Sequence, residues 1–327
     1  MNRIGVVTWL VFMCPILDSA HIGGLTVPAR MLITIGHYYN HETPALTRDD
    51  LIVTQHSEQL PVTNLIPLGG DRGRLELFLL VDNCSNWELG DRYEELRRFI
   101  YSQPSATTIG VAHIQNGRLQ LTEKPTEDHE RAARALRAST GCKPSSPFVA
   151  LAKLVRDWPQ RSSRRAVLLI SNGVDPAAAN ELLAPSAEAA IDAFQRAGVT
   201  FYAIYHPSAD YRTTASYKLY SGQIELAHVA IETGGEAYFK GFGPLPLLWP
   251  FLADISDHLA NQYLVEFVAN SVEGPGALQE VTIRSPKLPE GELMAPYKVW
   301  VTGVQSGRPS EKAQDYLVCG RRIQFDR

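Results

Sequence analysis

From residue 74 onward, hydrophobic positions follow two alternating rhythms. Continuous apolar runs at 75–81, 107–114, 166–171 and 199–205 have the length of strands buried on both faces. Between and after them, helical spacing appears at 91–101, 127–137, 147–157, 177–197, 225–233 and 246–260. A turn at Asn116-Gly117 leads to a short strand at 118–121, and Gly234-Gly235 suits a helix end before a brief strand at 237–239. Strands alternating with helices of this length predict an α/β domain: a mostly parallel sheet with helices on both faces.

The two ends read differently. Short alternating runs at 31–35 and 51–54, separated by Asn40-His41-Glu42-Thr43-Pro44, are strand-and-turn grammar. After Asn261, strands return at 263–268, 278–283 and 297–301 among Pro- and Gly-rich turns. The chain therefore divides into an N-terminal β segment (21–70), an α/β domain (71–260) and a C-terminal β segment (261–327). The two end segments are expected to form one small β appendage. Residues 1–20 carry Arg3, an apolar run at 4–17 and Asp18-Ser19-Ala20, the order of a secretory signal peptide. The expected location is secreted, periplasmic or in the cell envelope. Asp18 is a poor residue so close to a cut after Ala20, so an uncleaved membrane anchor stays open as the one membrane contact. No other segment is long and apolar enough to cross a bilayer.

Charge narrows the classes. With 327 residues and a net charge of −4, nothing points to nucleic acid. The densest basic cluster, Arg161, Arg164 and Arg165, lies at a strand start and reads as a solvated loop. Without the signal, Cys84, Cys142 and Cys319 remain; one disulfide plus one free thiol is the simplest accounting in an oxidising compartment.

In a parallel sheet, ligand sites lie beyond the carboxyl ends of the strands, which selects the loops at 82–87, 140–146 and 171–175. The first lacks the glycines that a dinucleotide's pyrophosphate requires, which argues against a nucleotide enzyme. His206, His228 and His258 are isolated, without metal-ligand spacing, and read as surface or core histidines. No Gly-x-Ser-x-Gly elbow, His-Glu-x-x-His helix or Cys-x-x-Cys pair occurs, so no nucleophile-and-base set stands out and no enzyme is expected. The run at Leu247, Leu248, Trp249 and Phe251 reads as core, or as a partner surface if exposed.

The order of elements, with "LTRDDLIVTQ" before the α/β region, "LFLLVDNCSNWELG" at its first loop and "NQYLVEF" after it, resembles a von Willebrand factor type A domain with its Rossmann-like sheet. More narrowly it resembles the secreted VWFA-related domain proteins of the Acidobacteria. The resemblance spans almost the whole chain. In that family an Asp-x-Ser-x-Ser loop, a threonine ahead of a later helix and an aspartate in a Ser-Asp-Gly stretch hold Mg²⁺ or Mn²⁺, and the metal's open position accepts an acidic residue of a protein partner.

Here the match is partial. Asp82 holds the first position, Cys84 and Asn86 replace the serines, Ser146 is nearest to the threonine, and Ser171-Asn172-Gly173 stands for Ser-Asp-Gly. Hard cations bind through carboxylate charge and oxygen ligands, and this set has lost much of both. Asp175 could replace the missing carboxylate, or could serve as a turn or cap residue. The resemblance also brings Cys84 near Cys142, so a disulfide there competes with the reading of two unrelated thiols.

The function expected from this resemblance is adhesion or scaffolding. A protein partner would bind the top-face loops at a degenerate, metal-free site of Asp82, Cys84, Asn86, Ser146, Asn172 and Asp175, with no cofactor. The alternative is a divalent-metal adhesion module holding Mg²⁺ or Mn²⁺ on Asp82, Asn86 and Ser146. A secreted hydrolase stands further off.

Overall fold

A computed structural model of the chain describes residues 25–36, 44–70, 73–85, 89–90, 92–115, 118–137, 146–159, 163–176, 184–208, 211–244 and 246–304. The signal segment, Asn86, Cys142 and Cys319 lie outside these residues.

In chain order, β1 (Thr26–Ile35), β2 (Ile52–Gln55), β3 (Glu58–Leu60) and β4 (Val62–Pro67) come first. The α/β region follows with β5 (Leu75–Asp82), α1 (Arg92–Ser102), β6 (Thr108–Gln115), β7 (Arg118–Thr126), α2 (His129–Ala135) and α3 (Pro147–Asp157). It continues through β8 (Arg164–Ser171), α4 (Pro185–Ala197), β9 (Val199–Tyr205), α5 (Ser216–Glu232), β10 (Ala237–Tyr238) and α6 (Trp249–Ala260). The last strands are β11 (Gln262–Asn270), β12 (Val272–Glu273), β13 (Gly276–Arg284), β14 (Leu293–Met294) and β15 (Lys298–Val304).

The central sheet runs β10-β9-β8-β5-β6-β7. It is mixed: five strands are parallel, and β7 returns antiparallel to β6 as an edge. Helices cover both faces, which is why β5 and β9 are buried at every position and are predominantly apolar. Leu96, Phe99, Leu252 and Ile255 of α1 and α6 fill one side, with Leu77, Leu79 and Leu168 from the sheet. Phe148, Leu151, Phe194 and Leu226 of α3, α4 and α5 fill the other, against Leu80, Leu169 and Phe201.

Glu76, the first of two carboxylates in β5, is satisfied where it stands: Trp158 Nε1 and Ser163 Oγ each donate to it across 2.8 Å. Trp158 also meets Phe78 edge-on, and a Cβ on Gly110 would lie 2.3 Å from the Phe78 ring, so glycine is what lets that ring lie flat on β6.

Strands from both chain ends form two further sheets, ordered β14-β1-β11-β4 and β12-β15-β13-β2-β3. Met31, Ile33, Val265 and Phe267 of the first pack on Val53, Val281 and Val301 of the second. No helix among the described residues is long and apolar enough to cross a membrane.

Several boundaries differ from those the pattern predicts. The expected helix at 225–233 begins nine residues earlier, at Ser216, because Tyr217, Tyr220 and Ile224 point to solvent and blur the apolar stripe. The expected helix at 177–197 begins at Pro185 in its described part, where proline suits the first turn, and ends on Gly198 at φ +61°. β7 extends to Thr126 rather than 121, since an exposed edge strand needs no apolar run. α2 is shorter than 127–137; Asp128 caps it by accepting from Arg131 N at 2.9 Å. The run before α6 divides: Leu248 is buried, Leu247 is exposed, and Glu95 Oε2 accepts from the Leu248 and Trp249 amides at 2.8 and 2.6 Å, capping the helix.

Candidate functional site

Asp82 is the last residue of β5, at the carboxyl end of the sheet beside the end of β8. It is buried, and both of its oxygens are engaged. Ser171 Oγ donates to Oδ2 at 2.9 Å and Cys84 N donates to Oδ1 at 3.0 Å. Burial outweighs these two donors and pushes the Asp82 carboxyl up to about 6.

The loop after β8 folds on itself. Gly173 N donates to Ser171 Oγ at 3.1 Å and Val174 N to Asn172 Oδ1 at 3.0 Å, so the Asn172 amide oxygen closes its own turn. Gly173 has φ +66°, and a Cβ there would lie 2.2 Å from the carbonyl oxygen of Gly222 on α5. A Cβ on Gly222 would in turn lie 2.3 Å from the Asn172 carbonyl oxygen. Loop and helix therefore touch backbone to backbone.

A second group lies on the α3–α4–α5 side. Ser146 caps α3, accepting weakly from Val149 N at 3.4 Å, and its hydroxyl donates to Ser186 Oγ at 3.2 Å. Ser186 in turn donates to Asp175 Oδ2. Glu225, wholly buried on α5, accepts from Ala184 N at 3.1 Å; burial first, then the nearby Asp175 charge, push it up to about 7 against the hydrogen bonds from Ala184 and Ser221.

The structure thus sorts the predicted residues into two hydrogen-bond groups. Asp82 and the Cys84 amide belong to the first, with Ser171; Ser146 and Asp175 belong to the second, joined by Ser186. Asn172 lies between them along the chain. Asn86 and Cys142 lie outside the described residues. Sequence reasoning passed over Ser186 and Glu225, because nothing local announces a serine and a glutamate that matter only once α4 and α5 pack together. It also passed over His113, which pairs in register with Val81 next to Asp82; burial pushes its ring down and keeps it neutral.

The three histidines singled out earlier have distinct surroundings. His206 is buried, its amide donating to the Ser171 carbonyl at 2.9 Å. His228 meets Glu188 at 3.0 Å, and buried His258 faces Glu236 and Asp254.

No known family profile and no curated relative matches the chain. Among solved structures it is similar to proximal thread matrix protein 1 of the mussel byssus, at 15% identity and a TM-score of 0.42. That match covers 60% of this chain and 49% of the other, so the chain spans about half the length of the mussel protein. It is also similar to the vWF domain of the type V pilus tip protein Mfa5 of Porphyromonas gingivalis: 10% identity, TM-score 0.41, covering 58% and 93%. A third similarity is to the SpRpn10 VWA domain: 15% identity, TM-score 0.36, covering 54% and 93%. Likenesses this distant carry no conclusion about the chain's activity.

Proposed function

We propose that this chain is a secreted or envelope-facing protein-interaction module of the von Willebrand factor A type, whose partner docks on the top-face loops without a bridging metal. Asp82 carries the reading. In a metal-dependent site its carboxylate would be held open for a cation, but here it is buried and takes donors on both oxygens. A group already satisfied in this way has little to gain from a hard divalent ion. The second carboxylate, Asp175, accepts from Ser186 in the other group.

On this reading the loop after β5 is fixed by a disulfide in place of a metal. We assign Cys142 as the partner of Cys84 in this bond, the pairing that the resemblance to von Willebrand factor A domains implies. Non-reducing peptide mapping that recovers both as free thiols would remove this part of the proposal.

The interaction is tested with a photo-crosslinking residue at Pro176, exposed on the loop beyond Asn172, and a control at exposed Tyr101 near the end of α1. The expected result, in envelope fractions of the source cell, is a protein adduct at position 176 alone, insensitive to EDTA. Equal adducts at both positions, or loss with EDTA, would overturn the reading. So would micromolar binding of Mg²⁺ or Mn²⁺ abolished by Asp82→Ala.

A further inference from the structure

Glu236, Asp254 and His258 form a group apart from the top-face loops, on the face of the central sheet covered by α6. Asp254 and His258 are four apart on α6 and so share one side of the helix. Glu236 and Tyr238 alternate along the chain entering β10, so they share one side of the strand.

These four side chains converge. His258 Nδ1 lies 3.8 Å from Glu236 Oε2, and His258 Nε2 lies 3.9 Å from Asp254 Oδ2. The Tyr238 hydroxyl sits among them, 2.7 Å from Asp254 Oδ2, 3.4 Å from Glu236 Oε2 and 3.3 Å from His258 Nδ1. One ligand atom from each of Glu236, Asp254 and His258 can be chosen so that all lie within 4.8 Å of one another, and among the described residues no other such group of three occurs.

We propose that this group binds one zinc ion, through His258 Nδ1 and one carboxylate oxygen each from Glu236 and Asp254, with the Tyr238 hydroxyl at the fourth position. Zinc bound to nitrogen and oxygen at about 2.1 Å holds tetrahedral neighbours about 3.4 Å apart. The 3.8 Å between Glu236 Oε2 and His258 Nδ1 needs only a small contraction to reach that spacing. Two carboxylates this close repel each other, and a divalent cation between them removes the repulsion. An imidazole nitrogen in the set favours zinc over magnesium or calcium, which take oxygen ligands.

The surroundings suit a bound ion. His258 is 3% exposed and stacks on Tyr202, so its ring is held in place before any ion arrives. The side chains of Glu236 and Asp254 are 28% and 43% exposed, which gives an ion a path from solvent to the buried nitrogen. The Tyr238 hydroxyl donates to Asp254 Oδ2 at 2.7 Å and so orients that carboxylate. Gly36, just past β1, lies so near that a Cβ there would be 3.3 Å from His258 Nε2. The ion would therefore tie α6 to the β10 edge, beside the end of β1, a structural role independent of what the top-face loops bind.

The test is calorimetry on the full, untagged chain with zinc chloride, using magnesium and calcium chloride as comparators. The expected result is saturable one-to-one zinc binding, weakened about tenfold or more by Glu236→Gln and by Asp254→Asn. Cobalt(II) added to the unaltered chain reads the site without relying on variants that fold. It should give tetrahedral ligand-field bands that zinc displaces. Absence of one-to-one zinc binding, unchanged affinity in both variants, or equally tight magnesium binding would overturn the proposal. The first of these would leave the group a hydrogen-bonded cluster of His258, Tyr238 and the two carboxylates.

Discussion

Ser171 Oγ donates to Asp82 Oδ2 across 2.9 Å, joining the ends of β8 and β5 by a side-chain bond beyond the reach of their backbone ladder. Ser171→Ala leaves a buried carboxylate short of a donor, so it is expected to cost about 1–3 kcal/mol at neutral pH. The loss should shrink at pH 5, where Asp82 is protonated. Urea denaturation at the two pH values measures both; an equal loss at each would mean that the bond does not act through the charge.

Acid should stabilise this protein over a defined window. The fold raises Asp82 from 3.8 to about 6 and Glu225 from 4.5 to about 7, so the folded state prefers both protonated. Their contribution is complete below about pH 4 and is lost as pH rises through about 6 and 7. For Asp82 the difference is on the order of 3 kcal/mol. Asp82→Asn and Glu225→Gln should each flatten the stability profile between pH 4 and 8. A profile as steep in the double variant as in the parent would refute the assignment.

Gly222→Ala would improve helix propensity in α5 by about 1 kcal/mol. Its Cβ would also meet the Asn172 carbonyl at 2.3 Å, and backbone cannot rotate away as a side chain can. A net loss above about 3 kcal/mol is expected in urea denaturation. A gain in stability would show that the loop after β8 yields easily.

Trp158→Phe keeps the ring against Phe78 but removes the Nε1 donor that Glu76 accepts at 2.8 Å. A cost of about 1–3 kcal/mol is expected from the under-satisfied buried carboxylate. Thermal unfolding at pH 7 checks it; no change would imply that Ser163 and water suffice.

The patterned parts of the fold were readable. The apolar run at 199–205 is β9, and 147–157 is α3, because Ser146-Pro147 marks its start and its apolar spacing is regular. The start of α5 was hidden by exposed Tyr217 and Tyr220. Asp82 could be found from its place at a strand end, but its Ser171 partner is 89 residues away, and Ser186 is 40 from Ser146. Such meetings depend on helix packing, which no local rhythm encodes. Asp254 and His258 did carry a local signal, a helical i,i+4 pair; only their meeting with Glu236, through the short strand β10, lay beyond it.

Sheet margins tell how another molecule can take hold of this one. β10, β12 and β14 are two residues long and β3 is three, while the longer margins β4 and β7 contain Pro67 and Pro125, which donate no amide hydrogen. Pairing by a foreign peptide is shortened at these margins, though β7 keeps a largely exposed stretch from Arg118 to Lys124 ahead of its proline. Among the described residues, the short strands and the two prolines also hinder copies of the chain from stacking edge to edge along those margins.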